Sequence, residues 1–146
     1  MKDPIKFIRQ KIITTCGGNI SYNGANVPFY NRVPNNVSFP YVRVYGLSTN
    51  AIDDNQTKYN VECITRIEVV TRFQSTTGGD LQANTIMSDI MNLIISKNQS
   101  AFDLTSNNFN CYAVQNSGVT YLQEDLTDHT YFRAILELSN KVEQTN

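Results

Sequence analysis

Few residues of this chain are of a type and spacing that could do chemistry. There is one histidine, His129, in DLTDHTYF, and three cysteines, Cys16, Cys63 and Cys111. A histidine beside an acid can act as a general base, but nucleophilic catalysis also needs a nucleophile held on a sharp turn. The sequence has no GxSxG elbow, and His129 at the start of a strand reads as a hydrogen-bonding surface histidine. The cysteines form no CxxC, and with a single histidine they offer no zinc spacing. Cys63 falls on an apolar strand face, where a free thiol behaves as a small hydrophobe, and the cysteine usage suits a reducing cytosol. Asp53-Asp54 lacks the ligand ladder of a calcium loop. Gly78-Gly79 precedes a helix, the geometry of an anion site, yet no Lys-Ser/Thr or GxGxxG accompanies it and Asp80 would repel a phosphate. Glu124, Asp125 and Asp128 read as solvated acids of one polar loop. No catalytic, metal-binding or cofactor-binding residue is expected, and an enzyme is the least favoured class.

One charged pattern remains. In KYNVECITRIEVVTRF every second residue from Tyr59 to Phe73 is apolar or β-favouring, and the alternate set is mostly charged or polar. Side chains alternate faces along a strand, so one long strand with a packed face and a wet face is predicted. Glu62, Arg66, Glu68 and Arg72 line the wet face. They read either as solvated charges pairing weakly two apart, or as a partner face or lumen wall whose mixed charge keeps duplex DNA from sticking. The strand would reach roughly 50 Å, beyond the usual strand length, and is expected to leave the compact body. The polar segment 48–57 (STNAIDDNQT) reads as a loop at its projecting tip. Within an arm at about 47–58, Ser48, Thr49, Asn50, Ile52, Asp53, Asp54, Gln56 and Lys58 are the candidate subunit-interface residues.

These groups must be positioned by a small set of elements. Asp3-Pro4 reads as a helix start, Ile5, Ile8 and Ile12 share a face, and Gly17-Gly18 stops the helix. Asn23-Gly24 is a turn signal, VPFYNRVP a short edge strand, and YVRVYGLS a strand that forms a hairpin with the long one. After QSTTGGD, the residues Ala83, Ile86, Met87, Ile90, Met91 and Ile94 mark a core-facing helical stripe, with Lys97 in its last turn. Asn116-Ser117-Gly118 reads as a turn between two further strands, and YFRAILEL as a third. The order α, β, β, β, α, β, β, β predicts an α+β fold. Its mixed, mainly antiparallel sheet with a long β-hairpin packs against an N-terminal helix and a central helix.

The bulk properties fit one domain over 1–146. The chain carries a net charge of −1 and 40% hydrophobic residues. That charge advertises no global nucleic-acid field, and the apolar content argues against disorder. No run approaches a membrane span, and MKDPIKFIRQKII is too short and too charged for a signal peptide.

Taken together, VSFPYVRVYG, the long strand ending TRFQSTTGG, the helix LQANTIMSDIMNLI and the closing HTYFRAILELS resemble a known family. It is the tail completion and tail terminator proteins of tailed bacteriophages. Pro40-Tyr41-Val42-Arg43-Val44 stands where that family has its PY-[IV]-x-[IV] strand, and Phe73 to Gly79 where a Ser- and Gly-containing turn leads into the central helix. The resemblance covers nearly the whole chain. It implies a virion structural protein without catalytic residues, located in the tail or neck and assembled in the host cytoplasm. Its partners would be itself, as a ring of six or twelve copies, the portal or connector, and tail proteins. Genomic DNA would pass through the lumen without sequence-specific binding, and no membrane would be involved. A soluble ligand-binding or regulatory α+β module is the alternative.

Overall fold

The alternation in KYNVECITRIEVVTRF becomes β5 (Tyr59–Gln74), a strand of 16 residues. Its buried side chains Val61, Cys63, Thr65, Ile67, Val69 and Thr71 fall on the predicted face, and Val70 is the one buried on the other. The computed structural model describes residues 1–54, 58–96 and 101–145, and of 53 and 54 the backbone only. Lys97, predicted in the last turn of the central helix, lies outside these residues, as does Gln56.

The chain begins with α1 (Ile5–Cys16), whose first free N–H, that of Ile5, donates to Asp3 Oδ1 at 3.0 Å. Asp3 therefore caps the helix as its residue type requires. Gly17 and Gly18 end it, the latter at a φ of 79° that favours glycine. Asn23 and Gly24, both at positive φ, turn a two-stranded ribbon of β1 (Ser21–Tyr22) and β2 (Ala25–Asn26). Then β3 (Phe29–Tyr30) pairs parallel with β4 (Tyr41–Asp54), and β4 pairs antiparallel with β5. The helix α2 (Leu81–Ile94) buries Ala83, Ile86, Met87, Ile90 and Ile94. Two long strands follow, β6 (Phe109–Asp125) and β7 (His129–Gln144).

The main sheet has the order β3-β4-β5-β7-β6, so the fold is α+β with a mixed, mainly antiparallel sheet, an N-terminal helix and a central helix. Both helices contribute to the core against one face of the sheet: Ile8 and Ile12 of α1 and Ile86 and Ile90 of α2 cluster with Val44, Ile67, Leu136 and Leu138. Among the described residues the other face carries no helix.

Three expectations are corrected. The long strand does not leave the body, because β5 is the centre of the sheet and β7 flanks it from Asn60 to Gln74. Its length is matched by its two neighbours, β4 with 14 residues and β7 with 16, which satisfy its backbone on both sides. Second, 48–54 is not loop but the continuation of β4, with register shifts between Gly46 and Ser48 and between Ala51 and Asp53. Polar side chains are no obstacle to strand where the backbone finds a ladder partner, and the bulges absorb the irregular pattern. Third, Asn116-Ser117-Gly118 does not turn the chain. It is a bulge inside β6, between Asn116 and Val119, with Gly118 at a φ of 132°. The last third of the chain therefore has two long strands rather than three.

Candidate functional site

The helix-free face of the sheet holds the charged residues singled out by sequence, and register decides who meets whom. Arg66 lies opposite Glu137, Glu68 is paired with Ile135, and Val70 with Arg133. Arg66 Nη2 reaches Glu137 Oε1 at 2.8 Å, Arg133 Nη1 reaches Glu68 Oε1 at 2.9 Å, and Lys58 Nζ stands 3.7 Å from Glu143 Oε2. Ser139 Oγ donates to Glu62 Oε2 at 2.9 Å. The expected pairing two residues apart along β5 is thus replaced by pairing across to β7. Directly opposed cross-strand side chains come closer than residues two apart on one strand, and diagonal ones remain within reach of long side chains. The Tyr45 hydroxyl and the Glu137 carboxylate together push the Arg66 pKa further up.

At the end of this face where β4 begins, aromatic rings form a platform. Phe39 packs on Tyr41 at 5.2 Å and on Tyr131 at 5.8 Å, and Tyr30 stands 6.3 Å from Tyr41. Guanidinium groups lie over these rings: Arg72 over Phe39 at 4.3 Å, Arg43 over Tyr45 at 4.3 Å and Arg133 over Tyr131 at 5.7 Å. Stacking on a ring desolvates one plane of the guanidinium and leaves its N–H edge outward, ready for a carboxylate or phosphate. The cover is thorough enough that Val70, on this otherwise bare face, is fully buried. Beside the platform runs a groove of about 490 Å³, walled by segment 31–33 and floored by Tyr41, Arg43, Tyr45, Glu68 and Arg133. Asn31 Nδ2 donates to Val44 O at 2.9 Å and fixes that wall to β4.

Five of the chain's six arginines (Arg32, Arg43, Arg66, Arg72 and Arg133) stand on this face or at its rim. Against them stand Glu62, Glu68, Glu137 and Glu143 within the face and Glu124 at its far corner, opposite Tyr131. The excess of arginine lies at the platform end, where Arg32, Arg43, Arg72 and Arg133 gather around Glu68 on a chain of net charge −1. Sequence reasoning found Arg66, Glu68 and Arg72 but missed Arg32, Arg43, Tyr41, Tyr45 and Arg133. They come from segments far apart in the chain.

The other sequence candidates disperse. Ser48, Thr49 and Asn50 lie within β4, and Thr49 Oγ1 donates to Asp3 Oδ1 at 2.9 Å, tying α1 to the sheet. Ile52 is exposed, Lys58 is exposed beside Glu143, and the side chains of Asp53 and Asp54 lie outside the described residues, as does Gln56. His129 is half-buried at the start of β7, its ring 6.4 Å from Tyr131. All three cysteines are free, and burial pushes the thiols up, Cys16 to about 12 and Cys63 to about 11. Among the described residues no group of three or more His, Cys, Asp or Glu could hold a metal ion, and no helix is long and apolar enough to cross a membrane. No protein-family model matches the chain, and no curated protein matches it.

Proposed function

We propose that the chain is a self-assembling virion structural subunit, a ring-forming tail completion, tail terminator or neck adaptor protein. Such a protein joins a phage tail to the portal or connector and leaves a passage for DNA. The reading takes its family from the resemblance of the strand–turn–helix core. One observation carries it on the structural side. A sheet whose four long strands run 14 to 17 residues is covered by helices on one face, while the other face is finished with ion pairs and an arginine–aromatic platform. Arginine and tyrosine are enriched where proteins meet partners, and solvent alone requires no such platform. The outermost strand adds a second such surface. Of the exposed large hydrophobics, Tyr112, Tyr121 and Leu122 stand on β6 and Leu126 in the turn after it. A long edge strand left in that condition is a template for another chain.

The groove volume also falls in the range of small-ligand sites. That favours a ligand-binding module as the second reading, though arginine lining rather than an apolar floor counts against it. Light scattering and negative-stain imaging of the purified chain separate the two. A ring of six or twelve copies is expected, and a strict monomer at high concentration refutes the assembly reading.

A further inference from the structure

The turn that joins β6 to β7 is a rigid acidic tip. Leu126 N–H donates to His129 O at 2.9 Å, closing it. Thr130 Oγ1 and Gln123 Nε2 both donate to Asp125, at 3.0 and 3.1 Å. Ser75 Oγ donates to Leu126 O at 3.3 Å, and Thr76 N–H to Thr130 Oγ1 at 3.0 Å, which lashes the tip to the end of β5. Asp125 is thus consumed inside the turn. Glu124 and Asp128 are exposed and make no ion pair among the described residues, and Leu126 between them is 48% exposed. No Lys or Arg lies in 121–130 to neutralise them.

The groove on the helix-free face is the complement of that tip. Arg133 is engaged by Glu68, but Arg32 and Arg43 are exposed and make no ion pair among the described residues. Val33 and the rings of Tyr41 and Tyr45 supply apolar contact between them. Two guanidinium groups without an ion pair, beside the side chains of Val33, Tyr41 and Tyr45, match two unpaired carboxylates flanking a leucine. Arginine also binds carboxylate with two parallel hydrogen bonds, which adds orientation to charge.

From this match we infer that the groove receives the β6–β7 tip of a second copy of the chain, with Glu124 and Asp128 pairing with Arg32 and Arg43 and Leu126 seated over Tyr41 and Tyr45. The inference rests on the assembly reading above and supplies its contact. The groove is walled by the segment beside β3 and floored by β4, β5 and Arg133 of β7, whereas the tip is the turn between β6 and β7. Different patches meet, so the contact is heterologous and propagates head to tail, which closes into a ring when the rotation permits. The tip is already ordered by its own hydrogen bonds, so little entropy is lost on docking. Because the paired charges start exposed, assembly weakens as salt is raised.

Charge reversal tests this on the full chain by sedimentation and light scattering. The variants are a groove variant, Arg32→Glu with Arg43→Glu, and a tip variant, Glu124→Arg with Asp128→Arg. Each alone is expected to lose self-association by about 100-fold or more, since like charges then face each other. Mixed in equal amounts they restore it, because each groove meets a complementary tip. Circular dichroism of the separate variants checks that both fold, and restoration on mixing cannot come from misfolded chains. If the unaltered chain oligomerises and both variants do so equally well, this contact is overturned while the assembly reading stands. If the unaltered chain is monomeric, the assembly reading falls as well. A 20-nucleotide oligothymidine is the competing ligand. Binding that the groove variant loses, together with unchanged self-association, overturns the inference in favour of a nucleic-acid groove.

Discussion

The ion pairs of the helix-free face should differ sharply in worth, and a double-mutant cycle can measure the difference. The side chains of Arg133 and Glu68 keep 27% and 13% exposure, whereas Arg66 and Glu137 keep 35% and 37%. Unit charges about 4 Å apart attract by about 4 kcal/mol at an effective dielectric near 20. Desolvation offsets much of that in either pair, and solvent screening removes most of the rest where a third of each side chain is wet. The net coupling should be about 1–2 kcal/mol for Arg133–Glu68 and clearly smaller for the wetter Arg66–Glu137. The assay is urea denaturation of the two single alanine variants and the double variant for each pair, at low and high salt. Cation–π loss in Arg133→Ala occurs in the single and the double variant alike and cancels in the cycle. The coupling of the drier pair should survive salt better. A coupling below about 0.3 kcal/mol for Arg133–Glu68, or an inverted order of the two pairs, would refute the assignment of worth by burial.

Two other perturbations have outcomes fixed by local geometry. Gly78 has a φ of +89°, and a Cβ built there would collide with the Phe73 ring, while one on Gly79 meets nothing within 4 Å. Gly78→Ala should therefore destabilise by about 1–3 kcal/mol and Gly79→Ala by under about 1 kcal/mol in thermal or urea melts, and equal effects would contradict the turn geometry. For the cysteines, burial raises the folded pKa above the ordinary 9.0, to about 12 for Cys16 and about 11 for Cys63. Their contribution to stability is full below pH 9 and lost as pH rises through 11 to 12. At pH 8 a thiol reagent should leave both unmodified in the native protein and label all three cysteines after denaturation, so rapid native labelling of Cys16 would count against its burial.

What the sequence disclosed follows the strength of its periodicity. In β5, buried on one face along most of its length, the two-residue alternation was intact and the strand was legible to within a residue. The helices were equally legible, since Ile8, Ile12, Ile86 and Ile90 recur at helical spacing and all are fully buried. β6 was not, because it is an edge strand exposed over most of both faces and interrupted by two register shifts. Burial imposes alternation, and where burial is absent no pattern is imposed. The far half of β4 hid for a related reason: Ser48 to Asn50 are held by backbone pairing, which side-chain type does not report. The groove was legible only in fragments. Arg66, Glu68 and Arg72 belong to the legible strand, but the residues that complete the site arrive from 31–33, β4 and β7 through a register that no local pattern encodes.

The strand order has a consequence for how the protein is made. β7 lies between β5 and β6, yet it follows both in the chain. Until β7 has been synthesised, β5 has only β4 beside it and presents a bare backbone edge next to Ile67 and Val69. β6 meanwhile has no neighbour in the sheet at all. The centre of the molecule is thus closed late, by a pairing that spans α2 and the whole of β6. Long-range closure of this kind is slow, and an open apolar edge that waits for it is a place where nascent chains stick to one another. Yield in a foreign host should therefore depend on synthesis rate and on holding chaperones more than on the stability of the finished fold.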